Sequence, residues 1–202
     1  MVQTIPPVKQ GAFVARFNAC PAVSIIIATR NAGDTLQRCL DSLTAVADYI
    51  EVIIKDCLST DATAAIGQAY MGRFPYFRFI SLPDSGIADA WNQALAHGEG
   101  VSGEWVLFLG ADDFFLDPER FIKVLSALSS LPETVDYATL PVTLVNKAGF
   151  AVDTLLPSQN LEQDLPCGMP LPHQGLLHRR RLFQKYAFTP ELRITADYEL
   201  LC

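Results

Sequence analysis

The sequence predicts an α/β fold, with a mostly parallel central sheet, flanking helices and a C-terminal hairpin region. Three observations predict it. Over residues 23–128, β-branched and apolar runs alternate repeatedly with segments of helical periodicity, the pattern of a parallel sheet with helical crossovers. The strand segments are near-continuous apolar runs, as expected of strands buried on both faces. Half of the 202 residues are apolar and only 18% are charged, against about 25% in an ordinary domain, so there is ample material for a two-sided core.

Taken in order, Val23–Ala28 is the first strand. Leu36, Leu40 and Leu43 follow at i, i+4 and i+7 and predict a helix over 34–46, with Asp34 as its N-cap. Ile50–Lys55 is the second strand. Ser59-Thr60-Asp61 then start a helix carrying Ala62, Ala65, Ile66, Ala69 and Tyr70, with Asp61 read as a helix-start acid. Tyr76–Ser81 is the third strand. Ile87, Trp91, Ala94 and Leu95 form the next helix, closed by Gly98. Glu104–Leu109 is the fourth strand, and a helix over 117–128 is capped by Asp117 with Pro118 at its first position. The pattern then changes. Tyr137–Val145 and Ala151–Leu156 flank the turn Asn146–Gly149 and predict a hairpin. Residues 157–172 contain four prolines and read as a loop, and 179–186 and 194–202 read as helical. The chain stops at Cys202 inside that last segment without a C-cap, which reads either as a truncation or as further sequence that is missing.

Charge and cysteine usage bound the function. The net charge is −7 and the isoelectric point about 4.9, which disfavours a nucleic-acid partner. Five cysteines, odd in number and scattered without metal-ligand spacing, read as reduced thiols in a cytoplasmic protein. No secretory signal is evident, and no apolar run approaches the roughly 18 residues of a spanning helix. Arg179-Arg180-Arg181 with Lys185 is the one basic cluster. It reads either as a solvated helix face or as a patch for peripheral contact with anionic lipid at the inner face of the membrane, worth on the order of 1 kcal/mol per cation.

In an open parallel sheet, ligands bind beyond the carboxyl ends of the strands. The loops there are Thr29–Asp34, Asp56–Asp61, Leu82–Gly86 and Gly110–Asp113. Three of the four carry an Asp at or near the strand's end, and such acids repel one another unless a cation or donor lies between them. A divalent cation with a diphosphate is one natural solution. No GxxxxGK[ST] loop, GxGxxG turn or GxSxG elbow is present, which argues against a P-loop NTPase, a dinucleotide site and a serine hydrolase.

Together these loops resemble a family-2 glycosyltransferase of the GT-A fold. The resemblance rests on Val23–Asn31, Asp56-x-x-Ser-Thr-Asp61, Asp84–Asn92 and Gly103–Asp113, with His173-Gln174-Gly175 and Arg193–Glu199 similar to bacterial members that assemble polysaccharides. It implies a lead-in over 1–21 and one domain over 22–202, divided into a nucleotide-binding half, 22–116, and an acceptor-side half, 117–202. It implies that Thr29 and Arg30 line the nucleotide site, with Asp56 accepting a hydrogen bond from the base, most often uracil. Asp84, Gly86 and Asn92 would complete the donor site. Asp112 would face the ribose or the metal, and Asp113 would be the main ligand of Mn²⁺ or Mg²⁺. The acidic motif departs from the family pattern, with Gly110 or Ala111 where an acid often stands. His173, with Gln174, would touch the diphosphate or supply a third metal ligand. Asp197 would be the general base, although Ala196 replaces the Glu that often precedes it.

The implied reaction is an inverting transfer from a nucleotide-diphosphate sugar, UDP-sugar favoured, to a hydroxyl of a glycan or lipid-linked acceptor. Its chemistry needs charge stabilisation on the leaving diphosphate and a carboxylate base on the opposite face. Two alternatives stay open. A sugar-phosphate nucleotidyltransferase is opposed by the missing Gly-rich basic loop after Ile27. A non-catalytic nucleotide-sugar-binding domain is kept open by Ala196.

Overall fold

The computed structural model describes residues 20–192 and 195–201. Nearly all of the lead-in, together with Arg193, Ile194 and Cys202, lies outside the described residues. The strands of the first half are β1 (Val23–Thr29), β2 (Ile50–Asp56), β3 (Tyr76–Ser81) and β4 (Trp105–Gly110). Their helices are α1 (Leu36–Leu43), α2 (Thr63–Ala69), α3 (Ile87–Ala96) and α4 (Pro118–Leu128). The second half holds β5 (Tyr137–Thr139), β6 (Val142–Val145), β7 (Ala151–Leu155), α5 (Leu161–Asp164), β8 (Leu176–Arg179) and α6 (Ala196–Glu199).

The six-stranded sheet runs β3-β2-β1-β4-β8-β5. β1 pairs in parallel with β2 and β4, β2 in parallel with β3, and β8 antiparallel with β4 and β5. The chain moves outward from β1 to β3 and then returns to the other side of β1 for β4. That reversal is a topological switch point, and it opens a crevice beyond the ends of β1 and β4.

Both faces of the sheet are covered. Val23, Ile25, Ile27, Ile54 and Leu107 pack with Leu36, Leu40, Leu43, Phe121 and Leu125. Ile26, Ile53, Val106 and Phe108 pack with Trp91, Ala94, Phe188 and Ala196. Adjacent residues of one strand thus enter opposite layers, which is why these strands read as unbroken apolar runs.

Several boundaries differ from the sequence reading. Thr35, not Asp34, occupies the cap position of α1, without a side-chain cap hydrogen bond, and the helix tightens into a 3-10 turn over Thr44–Tyr49. Asp61 does serve the start of α2, where its carboxylate accepts the Thr63 N–H at 3.0 Å. Asp117 caps α4 by accepting the Arg120 N–H at 2.9 Å. The segment Tyr137–Val145 is not one hairpin arm. β5 joins the main sheet, and β6 begins after Pro141 and pairs with β7. Proline has no N–H for a ladder, so the run divides there.

The segment 179–186 is not an α-helix. Arg179 ends β8, and a 3-10 turn covers Arg180–Gln184. The basic cluster is correspondingly engaged within the protein. Arg179 is buried, pairs with Glu104, lies over Trp105 at 4.2 Å and donates to the Val135 carbonyl at 3.1 Å. Arg180 donates to the carbonyls of Val101 and Ser102, and Arg181 pairs with Asp136 at 2.7 Å. Of the three arginines only Arg179 is withdrawn from the surface; Arg180 and Arg181 stay exposed while making these contacts. Cys20, Cys39, Cys57 and Cys167 are free thiols, the first and last of them exposed. Among the described residues, no helix is long and apolar enough to cross a membrane.

Candidate active site

The loops after β1 and β2 are joined side to side. Ser59 Oγ accepts the Asn31 N–H at 2.7 Å, Thr63 Oγ1 accepts that of Ala32 at 2.7 Å, and Asp61 Oδ2 accepts that of Gly33 at 2.9 Å. Asn31 itself turns the chain with φ +52°, a left-handed conformation that Asn tolerates better than most residues. Its side chain accepts the Thr60 N–H at 2.9 Å. These bonds shape one wall above the sheet.

Beside it, an open cleft of about 300 Å³ is lined by Thr29, Arg30, Asp84 and Gly86, together with Cys57, Ile87 and their neighbours. Four of the residues expected to bind a donor therefore share one cleft, at the lower end of the usual ligand-pocket range of roughly 300–1,000 Å³. Gly86 caps α3 with φ +138°, a backbone region that only glycine enters readily.

Asp84 is fixed from below. Lys55, fully buried, donates to Asp84 Oδ2 at 2.8 Å and to the Leu82 carbonyl at 2.7 Å. Asp84 Oδ1 accepts the Gly86 N–H at 3.2 Å. The loop wall thus hangs on a buried lysine that the sequence reading passed over. Its signal was a cation at the end of an otherwise apolar strand.

Asp56 is also fully buried. Oδ1 accepts Thr29 Oγ1 at 3.0 Å and the Ser59 hydroxyl, while Oδ2 accepts the Ser59 N–H at 2.9 Å and Ser81 Oγ at 3.0 Å. A carboxylate offers about four acceptor positions, so a base reaching Asp56 has to exchange for one of these donors.

Across the β1–β4 pair, Ala28 stands opposite Gly110. The acid pair follows at once. A Cβ added to Gly110 would lie 2.6 Å from Asp113 Oδ2 and 2.8 Å from Asp112 Oδ1. Both carboxylates therefore fold back over the one residue without a side chain. Asp113 Oδ2 accepts the Gly110 N–H at 3.1 Å. Partial burial and the neighbouring Asp112 charge raise the Asp113 pKa, while the Gly110 bond and Arg38 oppose that rise. Arg38 reaches in from α1, donating to the Asp112 carbonyl at 3.1 Å and lying 4.2 Å from the Phe114 ring centroid.

Two close carboxylates under mutual repulsion suit a divalent cation. Mg²⁺-type ions are commonly held by one or two carboxylates plus substrate phosphates. No cluster of three potential metal-ligating side chains occurs among the described residues, so protein and substrate oxygens would have to share such an ion.

His173 and Gln174 lie in a 3-10 turn leading into β8. Because β8 runs antiparallel to β4, that turn lies at the carboxyl end of β4. Gln174 is exposed. His173 lies against both Trp91 and Phe108, tilted on the first and nearly parallel to the second, with Nδ1 3.3 Å from Asp197 Oδ2. Asn92 is placed elsewhere. Its Nδ2 donates to the Phe188 carbonyl at 2.8 Å and its Oδ1 accepts the Phe188 N–H at 2.9 Å. Both ends of its amide are bound to backbone, so Asn92 clamps α3 to the C-terminal segment, and a donor reaching it would have to displace one of these bonds.

A sheet with a cleft and acid pair beyond its switch point, closed by antiparallel strands, places the protein among the GT-A α/β folds. The model of "Glycosyl transferase family 2" matches residues 24–182, and the chain belongs to that family. It is 29% identical over 189 residues to the "PGL/p-HBAD biosynthesis glycosyltransferase Rv2957" of Mycobacterium tuberculosis, covering 90% of this chain and 68% of that protein. Among solved structures it is similar to glucosyl-3-phosphoglycerate synthase from M. tuberculosis in complex with Mn²⁺, UDP and phosphoglyceric acid. That likeness has a TM-score of 0.67 and 19% identity, and covers 99% of this chain and 69% of the other. It is also similar to S. aureus TarS 1-349 in complex with UDP, with a TM-score of 0.60 and 20% identity, covering 88% of this chain. The chain spans only 53% of that TarS structure.

Proposed function

We propose that this chain transfers a sugar from a nucleotide-diphosphate donor, a UDP-sugar by preference, to a hydroxyl of a glycan or lipid-linked acceptor, with inversion at the anomeric carbon. The observation that carries the reading is the placement of the Thr29–Arg30–Asp84 cleft and the Asp112–Asp113 pair on adjoining strand ends at one switch point. UDP and Mn²⁺ in the structurally similar synthase support the donor and ion classes.

Thr29 and Arg30 line the nucleotide, and Arg30 meets phosphate charge. Asp56, with its ring of hydroxyl donors, receives the base once one donor gives way. The loop from Asp84 to Gly86 walls the donor, and Gln174 offers an exposed amide from the turn before β8. Asp112 and Asp113 would hold Mn²⁺ or Mg²⁺, which would supply charge stabilisation for the leaving diphosphate. Asp197 accepts the proton of the attacking hydroxyl, a contribution of roughly 10²–10⁴-fold. Its side chain is 20% exposed, so it keeps access to an acceptor. Direct displacement with one base gives inversion.

A thermal-shift panel of UDP-, GDP- and dTDP-sugars with and without Mn²⁺ tests the donor, since a ligand that binds the native state raises the melting temperature. The expected result is a Mn²⁺-dependent shift largest for a UDP-sugar. Turnover of the same donor should be lost in Asp113→Ala and in Asp197→Asn, with donor binding retained in the second. Metal-dependent turnover that survives Asp113→Ala overturns the metal assignment, and near-native turnover in Asp197→Asn overturns the base.

A further inference from the structure

His173 was expected at the diphosphate or the metal, yet its nearest charged neighbour is Asp197. Nδ1 of His173 stands 3.3 Å from Asp197 Oδ2. The other oxygen, Oδ1, accepts the Tyr198 N–H at 2.9 Å, so the carboxylate is pinned at one end and faces the imidazole at the other. The imidazole centroid lies 5.0 Å from that of Trp91 and 6.0 Å from that of Phe108, and the ring is nearly parallel to the Phe108 ring at 17°. Trp91, Phe108 and Ala196 belong to one buried apolar cluster, so the floor beneath His173 and the residue preceding Asp197 are packed together. Neither imidazole nitrogen has a hydrogen-bond partner in bonding geometry among the described residues, which leaves the approach to Asp197 as the polar contact of this ring.

The geometry points to His173 as the positioning residue for Asp197, its Nδ1 standing 3.3 Å from Oδ2 so that the carboxylate keeps the orientation from which it meets the acceptor hydroxyl. This rests on the reading of Asp197 as the base. Burial lowers the His173 pKa while Asp197 raises it; the neutral ring carries one proton, and beside a carboxylate that proton belongs on Nδ1. The aromatic stack sets the height and tilt of the ring, and the ring sets the carboxylate. Such fixing matters because a misplacement of about 1 Å in a reacting group can cost roughly 10²-fold in rate.

Three substitutions in the full chain separate this role from its rivals. The readout is release of UDP from the most active UDP-sugar of the panel in Mn²⁺. His173→Phe keeps the stacking and removes Nδ1–H; its kcat should fall about 10²-fold while the donor KM stays essentially unchanged. His173→Asn, whose amide nitrogen stands near the Nδ1 position, should recover about tenfold of that loss, whereas His173→Gln, whose amide stands near Nε2, should not. In an Asp197→Asn background, His173→Phe should cost nothing further, because the two act as a unit. A raised donor KM with kcat unchanged in His173→Phe would return His173 to the donor site and overturn the inference. Rescue by Gln rather than Asn would do the same. If Asp197→Asn alone is fully active, the base reading fails. If Asp197→Asn is inactive and His173→Phe is as active as the native chain, only the positioning role fails.

Discussion

Gly110 carries no side chain, and the two carboxylates that follow it use the space. Because the atoms that a Cβ would meet are the Asp113 and Asp112 carboxylate ends at 2.6 and 2.8 Å, Gly110→Ala should displace flexible tips rather than backbone. Stability should therefore change little while Mn²⁺ affinity, read by calorimetry, drops by about tenfold or more, as when the supports of metal ligands are removed. Unchanged affinity would show that the pair does not act together. Asp113→Asn makes the opposite separation. Folding raises the Asp113 pKa, so this group's contribution is fully favourable below its unfolded pKa and is lost as pH rises through the folded one. At neutral pH without metal the charged form is a liability. Asp113→Asn should then raise the melting temperature by about 2 °C, on the scale of 1 kcal/mol or less in a chain this long, and abolish the Mn²⁺-dependent increase. The acid pair was legible in the sequence because charge at a strand end is conspicuous. The role of Gly110 was not, because a motif search looks for an acid at that position and sees only its absence.

At the scale of elements, the first half was legible because its strands are unbroken apolar runs and its helices carry their own period. What each face would meet was not. Asn92 lies on α3 away from the apolar stripe and looked free for a donor, yet its partner is the backbone of Phe188, 96 residues later. Helical spacing says which way a residue points but nothing of a segment that returns from so far along the chain. Asn92→Ala should leave two backbone groups of Phe188 without their partner and cost about 1–3 kcal/mol in urea unfolding. Donor KM should hardly move; a large KM increase with native stability would restore Asn92 to the donor site. Arg179 shows the same limit. As part of a basic run it looked like a surface feature, but β8 takes it between β4 and β5, where Trp105, Glu104 and the Val135 carbonyl receive its guanidinium.

Across the whole molecule, β8 is the element that ties the second half of the chain to the sheet, and its His178 is fully buried. The ring meets Phe108, Tyr137 and Phe183 at centroid distances of 5.6, 5.6 and 5.7 Å. Burial, with a smaller effect from His173, pushes its pKa from 6.5 down to about 3. The sign follows from linkage. The unfolded chain takes up the proton near pH 6.5 and the folded one refuses it, so the stability present above that pH is lost progressively as pH falls toward 3. One such group gives a slope of up to about 1.4 kcal/mol per pH unit. His173, lowered in the same direction, adds to the slope, whereas Asp113, raised, opposes it at the acid end. His178→Phe should retain the aromatic contacts and remove this one proton. Urea unfolding measured from pH 7 to pH 4 should then show a flatter decline than the native chain, with the share due to His173 remaining. An identical slope in both proteins would mean that His178 is protonated without unfolding. Because the same aromatic layer seats His173, acid should also remove activity along the native chain's stability curve, and His178→Phe should shift both losses to lower pH together.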